Sequence, residues 1–248
     1  DIRVEKMREC FFIFISFILF GMNLFSQIMT PEKVVSMISN RFATIDNFYA
    51  AFAERNGNRI NYGNIISKNP NLFKLEYSAG TNGQQIYCDG KTLWIIFPKK
   101  NIVSEQTLNY GDTGAIYTKA GISRLTSKYN VNFYKERELK PVKSFDGKEL
   151  NIAGYDSSYY TAEDNRLAYH MLLTPKQASV DRTGFPIIHL WVDGDGMIIR
   201  ILGISAINTP VEYLFTSIRY NLELEDKIFT PEIPEEMQVL KDGLVPNN

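Results

Sequence analysis

Residues 69–106 read NPNLFKLEYSAGTNGQQIYCDGKTLWIIFPKKNIVSEQ. Phe73, Leu75 and Tyr77 alternate with Lys74 and Glu76, the two-residue period of a strand with one apolar face. Asn82-Gly83 and Asp89-Gly90 separate this run from QQIYC and from TLWIIF. Asn-Gly and Asp-Gly supply the positive φ of tight hairpin turns whose twist matches that of the strands. The stretch therefore predicts consecutive antiparallel strands.

The pattern continues on both sides. Upstream, Phe48, Ala50 and Phe52 alternate with Tyr49, Ala51 and Ala53, and Asn56-Gly57 turns the chain toward Ile60 and Tyr62. Downstream, strands are expected at Val131–Glu136, Tyr169–Thr174, Ile187–Asp193, Met197–Ser205 and Val211–Asn221, with further turns at Asp146-Gly147 and Asp195-Gly196. Helical spacing occurs twice. Thr30-Pro31-Glu32 starts a helix, with Pro at its first position and an acid in its first turn, and Val34, Met37, Ile38, Phe42 and Ile45 form its apolar stripe. A second helix is expected over Ala115–Lys128. A sheet of about ten to eleven antiparallel strands tends to curl. The fold expected is thus mainly β, a half-open antiparallel barrel lidded by α-helices.

Composition narrows the function. The 248 residues are 44% apolar and carry 27 Lys and Arg against 28 Asp and Glu, a formal charge of −1. Nucleic acid is not an expected partner, since its footprint is a basic excess. Sixteen Phe, 14 Tyr and 2 Trp supply more burial than a disordered chain offers. Residues 138–166 are a long polar connection around Asp146-Gly147, of the kind that is functional or disordered.

The first 26 residues look like an address. Arg8 precedes the apolar run FFIFISFILFGM at 11–22, which is short for a span of about 20 residues and fits a secretory signal peptide. Cleavage is expected after Ser26, with residues 1–6 upstream of the start at Met7; an uncleaved anchor is the alternative. The domain is then 27–248, a single unit and a monomer. It keeps one cysteine, Cys88, so no internal disulfide forms, and export without disulfides points to a periplasm.

Catalytic chemistry has no foothold. His170 and His189 each lie in a strand-like apolar run without a nucleophile elbow. Asp193-Gly194-Asp195-Gly196 lacks the glycine position and the twelfth-position Glu of a calcium loop, so a tight turn is expected there. No cysteine pair or HExxH suggests a metal. Cys88 reads as an inert buried thiol. Neither an enzyme nor a cofactor is expected.

Pro70-Asn71-Leu72-Phe73, Asp89-Gly-Lys-Thr-Leu-Trp94, Pro98 and Gln106, with Phe48-Tyr-Ala-Ala-Phe52 upstream and Leu173-Thr-Pro-Lys176 and Phe229-Thr-Pro231 with Pro234 downstream, resemble the outer-membrane lipoprotein carrier family, the LolA-like proteins. The resemblance covers about residues 31–240. It implies a helix-lidded incomplete barrel that shields the acyl chains of lipoproteins across the periplasm. An inner-membrane lipoprotein-releasing transporter would be the donor and an outer-membrane acceptor the destination. Each exposed CH₂ costs about 0.8 kcal/mol, so one long chain left in water costs roughly 10 kcal/mol.

By parity the cavity positions are Phe48, Phe52, Phe73, Leu75 and Tyr77, closed over by Met37, Ile38 and Phe42 on the lid. The alternative at these positions is an ordinary filled barrel core. A second function of the scaffold is a lipid-binding or envelope-stress sensing module that binds free lipid or a membrane regulator. One departure stands out: well-known members carry an arginine latch before Pro70, where this chain has Asn69. The lid is then expected to close mostly by apolar contact.

Overall fold

The computed structural model describes residues 28–57, 59–78, 83–108, 119–142, 165–176 and 185–242. The described residues from Pro31 onward belong to one compact unit. The expected signal peptide, Asn82, the Asp146-Gly147 turn, residues 115–118 of the second helix and most of 138–166 lie outside the described residues.

Helix α1, Pro31–Thr44, is followed by six strands that form a meander: β1 Asn47–Asn56, β2 Arg59–Lys68, β3 Leu72–Tyr77, β4 Gln85–Cys88, β5 Thr92–Phe97 and β6 Ile102–Thr107. Helix α2, Lys119–Lys128, leads to β7, Tyr129–Phe133, and the two-residue β8, Lys140–Pro141. A second meander follows: β9 Leu167–Pro175, β10 Ile187–Asp193, β11 Ile198–Ile204 and β12 Pro210–Tyr220. A further strand, β13, covers Gln238–Lys241.

The strands join in one sheet of order β13-β6-β5-β4-β3-β2-β1-β12-β11-β10-β9-β7, with β8 paired to β9. The two meanders meet where β1 pairs with β12, so the first and last long strands close the middle of the sheet. The architecture is the expected open, curled, mainly β fold with few helices. The thirteen strands among the described residues exceed the expected number because β8 and β13 are too short to carry a period. Strand β13 lies parallel to β6 and covers that edge, a common protection for exposed backbone groups.

The turns follow from their glycines. Gly57, Gly83, Gly90 and Gly196 all have positive φ. Gly196 is required twice over, because a Cβ there would overlap the α1 backbone at Met37. In the same turn Asp193 Oδ1 accepts the Asp195 and Met197 amides at 3.0 and 2.8 Å. Its carboxylate thus organises the hairpin between β10 and β11 against the helix.

Pairing register sorts side chains onto two faces. The inner face carries the helix: Phe42 of α1 meets Phe48 of β1 edge-to-face, with ring centroids 6.1 Å apart. Val34, Ile38, Phe42 and Ile45 are buried and Met37 is half-buried. One apolar stripe therefore seats α1, as its spacing predicts.

The outer face is also covered in two places, which explains why β4, β5, β10 and β11 are apolar on both sides. Tyr87, Trp94, Ile96 and Val103 pack beneath Ile233 and Met237 of the C-terminal segment. Farther along, Arg200 and Glu212 form a fully buried ion pair. The Arg200 guanidinium stacks over Trp191 at 4.1 Å and donates to the Val142 carbonyl at 2.9 Å. Trp191 stacks on His170 at 4.2 Å, and His170 Nε2 meets His189 Nδ1 at 2.8 Å. A buried ion pair tolerates desolvation only when its remaining donors find partners, and here they do.

Candidate functional site

Three rows of inner-face residues run across the strands. One links Phe48, Ser67, Phe73, Cys88 and Leu93 in register. The next links Ala50, Ile65, Leu75, Ile86 and Ile95. The third links Phe52, Gly63 and Tyr77. All five expected cavity positions therefore share the face on which α1 sits.

They differ in depth. Phe48, Phe52 and Leu75 are buried, whereas Phe73 and Tyr77 are half-buried. Phe52 is anchored hardest: its ring meets Tyr77 and Tyr213 edge-to-face at 5.3 and 5.9 Å. It also occupies the space a Cβ on Gly63 would need. Phe73 instead continues into Ile86, Leu93 and Ile95, all half-buried on β4 and β5. Burial thus grades along this face, from packed rings at β1 to a half-open aliphatic and aromatic strip over β3, β4 and β5.

Periodicity did not mark Ile86, Leu93 and Ile95. TLWIIF has no polar alternate, because Trp94 and Ile96 are buried on the outer face beneath the C-terminal segment. Only the pairing register separates the two sets. Tyr213 and Phe215 were hidden for another reason: the β1–β12 pairing shifts between Tyr49 and Ala51, which resets parity along β12.

Asn69 adds a polar hold to a helix that was expected to close mostly by apolar contact. Its side-chain amide donates to the Phe42 carbonyl at 2.8 Å and to the Ile45 carbonyl at 2.6 Å. These are the orphan carbonyls of a helix C-terminus, which need a donor. A short uncharged amide reaches them because β2 ends directly beneath the helix end, with the Asn69 backbone amide on the Asp46 carbonyl at 2.8 Å.

Polar groups gather at the other end of the face. Tyr213 Oη donates to Glu54 Oε1 at 3.1 Å, Asn61 Nδ2 donates to Oε2 at 3.2 Å, and the Tyr77 and Tyr213 hydroxyls lie 3.4 Å apart. Burial pushes the Tyr77 hydroxyl well above its ordinary pKa, so it stays protonated. The Cys88 thiol is buried and raised by that burial, and its Sγ contacts the Asn71 carbonyl at 3.5 Å. That environment suits packing, not a nucleophile. Among the described residues no group of three His, Cys, Asp or Glu side chains is placed to hold a metal ion.

No protein-family model and no curated protein matches the chain. Solved structures do. An uncharacterized conserved protein from Thermus thermophilus superposes at a TM-score of 0.52 and 9% identity, over 85% of this chain and 98% of that one. The likeness is one of fold.

Two weaker similarities carry no argument about function. A LolA superfamily protein from Nitrosomonas europaea matches at a TM-score of 0.39 and 14% identity, over 82% of this chain and 98% of the other. The MucA/MucB complex of Pseudomonas aeruginosa matches at 0.47 and 15%, over 85% of this chain and 63% of that chain. No helix among the described residues is long and apolar enough to cross a membrane.

Proposed function

We propose that the chain is a periplasmic carrier that shelters the acyl chains of lipoproteins on its inner face and passes them from the inner to the outer membrane. The observation that carries this reading is the half-buried strip of Phe73, Ile86, Leu93 and Ile95, which adjoins a packed aromatic floor. Apolar strips of this kind on a curved face suit a partner that is itself apolar. The motif Asp89–Trp94, by which the sequence resembles the lipoprotein carriers, forms the turn and strand that build the strip.

Transfer demands moderate affinity. A strip of many dispersion contacts, each worth about 0.1–0.2 kcal/mol, holds a chain without one deep anchor and can release it in steps. In this reading α1 covers one end of the face, with Met37 as its adaptable contact and Ile38 and Phe42 seated beneath. Donor and acceptor are membrane-bound proteins of the two membranes.

The test is capture of cargo from a periplasmic extract on the purified chain, read by mass spectrometry. Acylated proteins recovered with the chain, and lost with Phe73→Glu, are the expected result. Recovery of free lipid or a membrane regulator alone would replace the carrier by a sensing module.

A further inference from the structure

The carboxylate of Glu54 is an unexpected group on an apolar face. Register puts it on the same side as Phe48, Ala50 and Phe52, opposite Asn61 and Tyr213. Its residue is only 8% exposed. Its hydrogen bonds come from neutral donors, the Tyr213 hydroxyl and the Asn61 amide, and among the described residues no ion pair reaches it. A carboxylate offers about four lone-pair sites. Tyr213 and Asn61 take up two of these and the Tyr77 hydroxyl also interacts with the carboxylate, which leaves room for a further donor; an uncompensated buried charge is costly.

The surroundings locate the group relative to the apolar strip. Tyr77 ends the β3 series Phe73, Leu75, Tyr77, and its hydroxyl touches that of Tyr213, which in turn bonds Glu54. Phe52 holds both tyrosine rings. A chain lying along β3 thus runs from the helix end of the face toward two hydroxyls backed by a carboxylate. Binding sites of this build join an apolar lining to a few convergent polar groups that fix the ligand's head.

We propose that Glu54, Tyr213 and Tyr77 form the head-group subsite of the inner face, and that it selects amphiphiles whose head donates hydrogen bonds or carries positive charge over those with an anionic head. The proposal rests on the acyl-chain reading of that face. Its physical basis is the sign of the Glu54 charge in a water-poor site: an N–H or ammonium satisfies the remaining lone pairs, whereas a second anion is repelled. The donor can come from the amide N–H groups of an acylated peptide or from the amine of a free lipid.

The experiment displaces a hydrophobic dye from the purified full chain at neutral pH, below micelle concentrations. The competitors are dodecylamine, dodecanoic acid and a dodecanoylated dipeptide amide. Amine and lipopeptide are expected to displace the dye at about tenfold lower concentration than an acid of the same chain length, equal to about 1.4 kcal/mol. In Glu54→Gln the amine-to-acid ratio should fall to within about twofold, with circular dichroism checking the fold.

Tyr213→Phe removes a neutral donor while keeping the ring, and should maintain or widen the ratio; it serves if Glu54→Gln does not fold. Equal displacement by amine and acid, or a ratio unmoved by Glu54→Gln, overturns the subsite and leaves the chain site standing. A dye that does not bind removes both. Displacement by the amine but not the lipopeptide assigns the donor to free lipid, and the reverse assigns it to acylated protein.

Discussion

Asn69 caps the helix that ends at Thr44: its one side-chain amide donates to the Phe42 and Ile45 carbonyls, at 2.8 and 2.6 Å. The cap ties the helix seated on β1 to the loop between β2 and β3, where the sheet begins to open. A guanidinium is unnecessary there, because the loop already lies within amide reach.

Replacing that amide should loosen the helix before anything else. Asn69→Ala removes two hydrogen bonds, for a cost of about 1–2 kcal/mol. Asn69→Asp should cost more, since it sets a negative charge against a helix C-terminus. Hydrogen exchange of the α1 amides reads the change directly, with roughly tenfold faster exchange per 1.4 kcal/mol while the central strands stay protected. Unchanged helix exchange in Asn69→Ala would leave the cap without energetic weight.

Gly63 leaves room for the Phe52 ring and for the Glu76 carbonyl of the neighbouring strand. Gly63→Ala should therefore destabilise the chain by about 1–3 kcal/mol, the usual cost of overpacking. Denaturant unfolding gives the value, and a loss under half a kilocalorie would mean that β2 and β3 separate easily.

Much of this architecture is legible in the sequence because local chemistry and global fold agree. The Asn-Gly and Asp-Gly turns that are described, the α1 stripe, and the boundaries of β10, at Ile187–Asp193, all stand where the residues predict them. The site was legible in part. Phe73 alternates with charged neighbours and declares its face, whereas Leu93 and Ile95 sit in a run whose other face is covered too. The Asn69 cap and the contact of Glu54 with Tyr213 join segments far apart in the chain, which no periodicity records, although the parity of β1 already places Glu54 on the face of Phe52.

The outer-face histidines set an acid limit. Burial, helped by the neighbouring imidazole and by the Arg200 charge, pushes His170 down to about 2, and burial with Arg200 pushes His189 down to about 4. An unfolded chain has imidazoles near 6.5. Below that value the unfolded state binds protons that the folded state refuses, so the stability present at neutral pH is lost as pH falls from about 6.5 through 4. Urea unfolding across that range should show falling stability, with a shallower slope in His170→Gln. Equal slopes would mean that these two rings do not govern the acid limb.

Phe73→Glu should keep the fold and abolish binding of acyl chains, because Phe73 is half-buried at the edge of the strip and a carboxylate there must be desolvated once a chain arrives. Circular dichroism and dye fluorescence on the purified variant separate the two effects. Intact structure with intact binding would take Phe73 out of the site.

The most direct measurement of the central claim is photo-cross-linking with a long acyl chain carrying a diazirine near its end, followed by peptide mapping. Adducts should concentrate on the inner-face strip of Phe73, Ile86, Leu93 and Ile95, and excess unlabelled acyl ligand should suppress them. Adducts confined to outer-face residues such as Trp94 and Ile96, or labelling that competitor does not suppress, would contradict an acyl-chain site on the inner face.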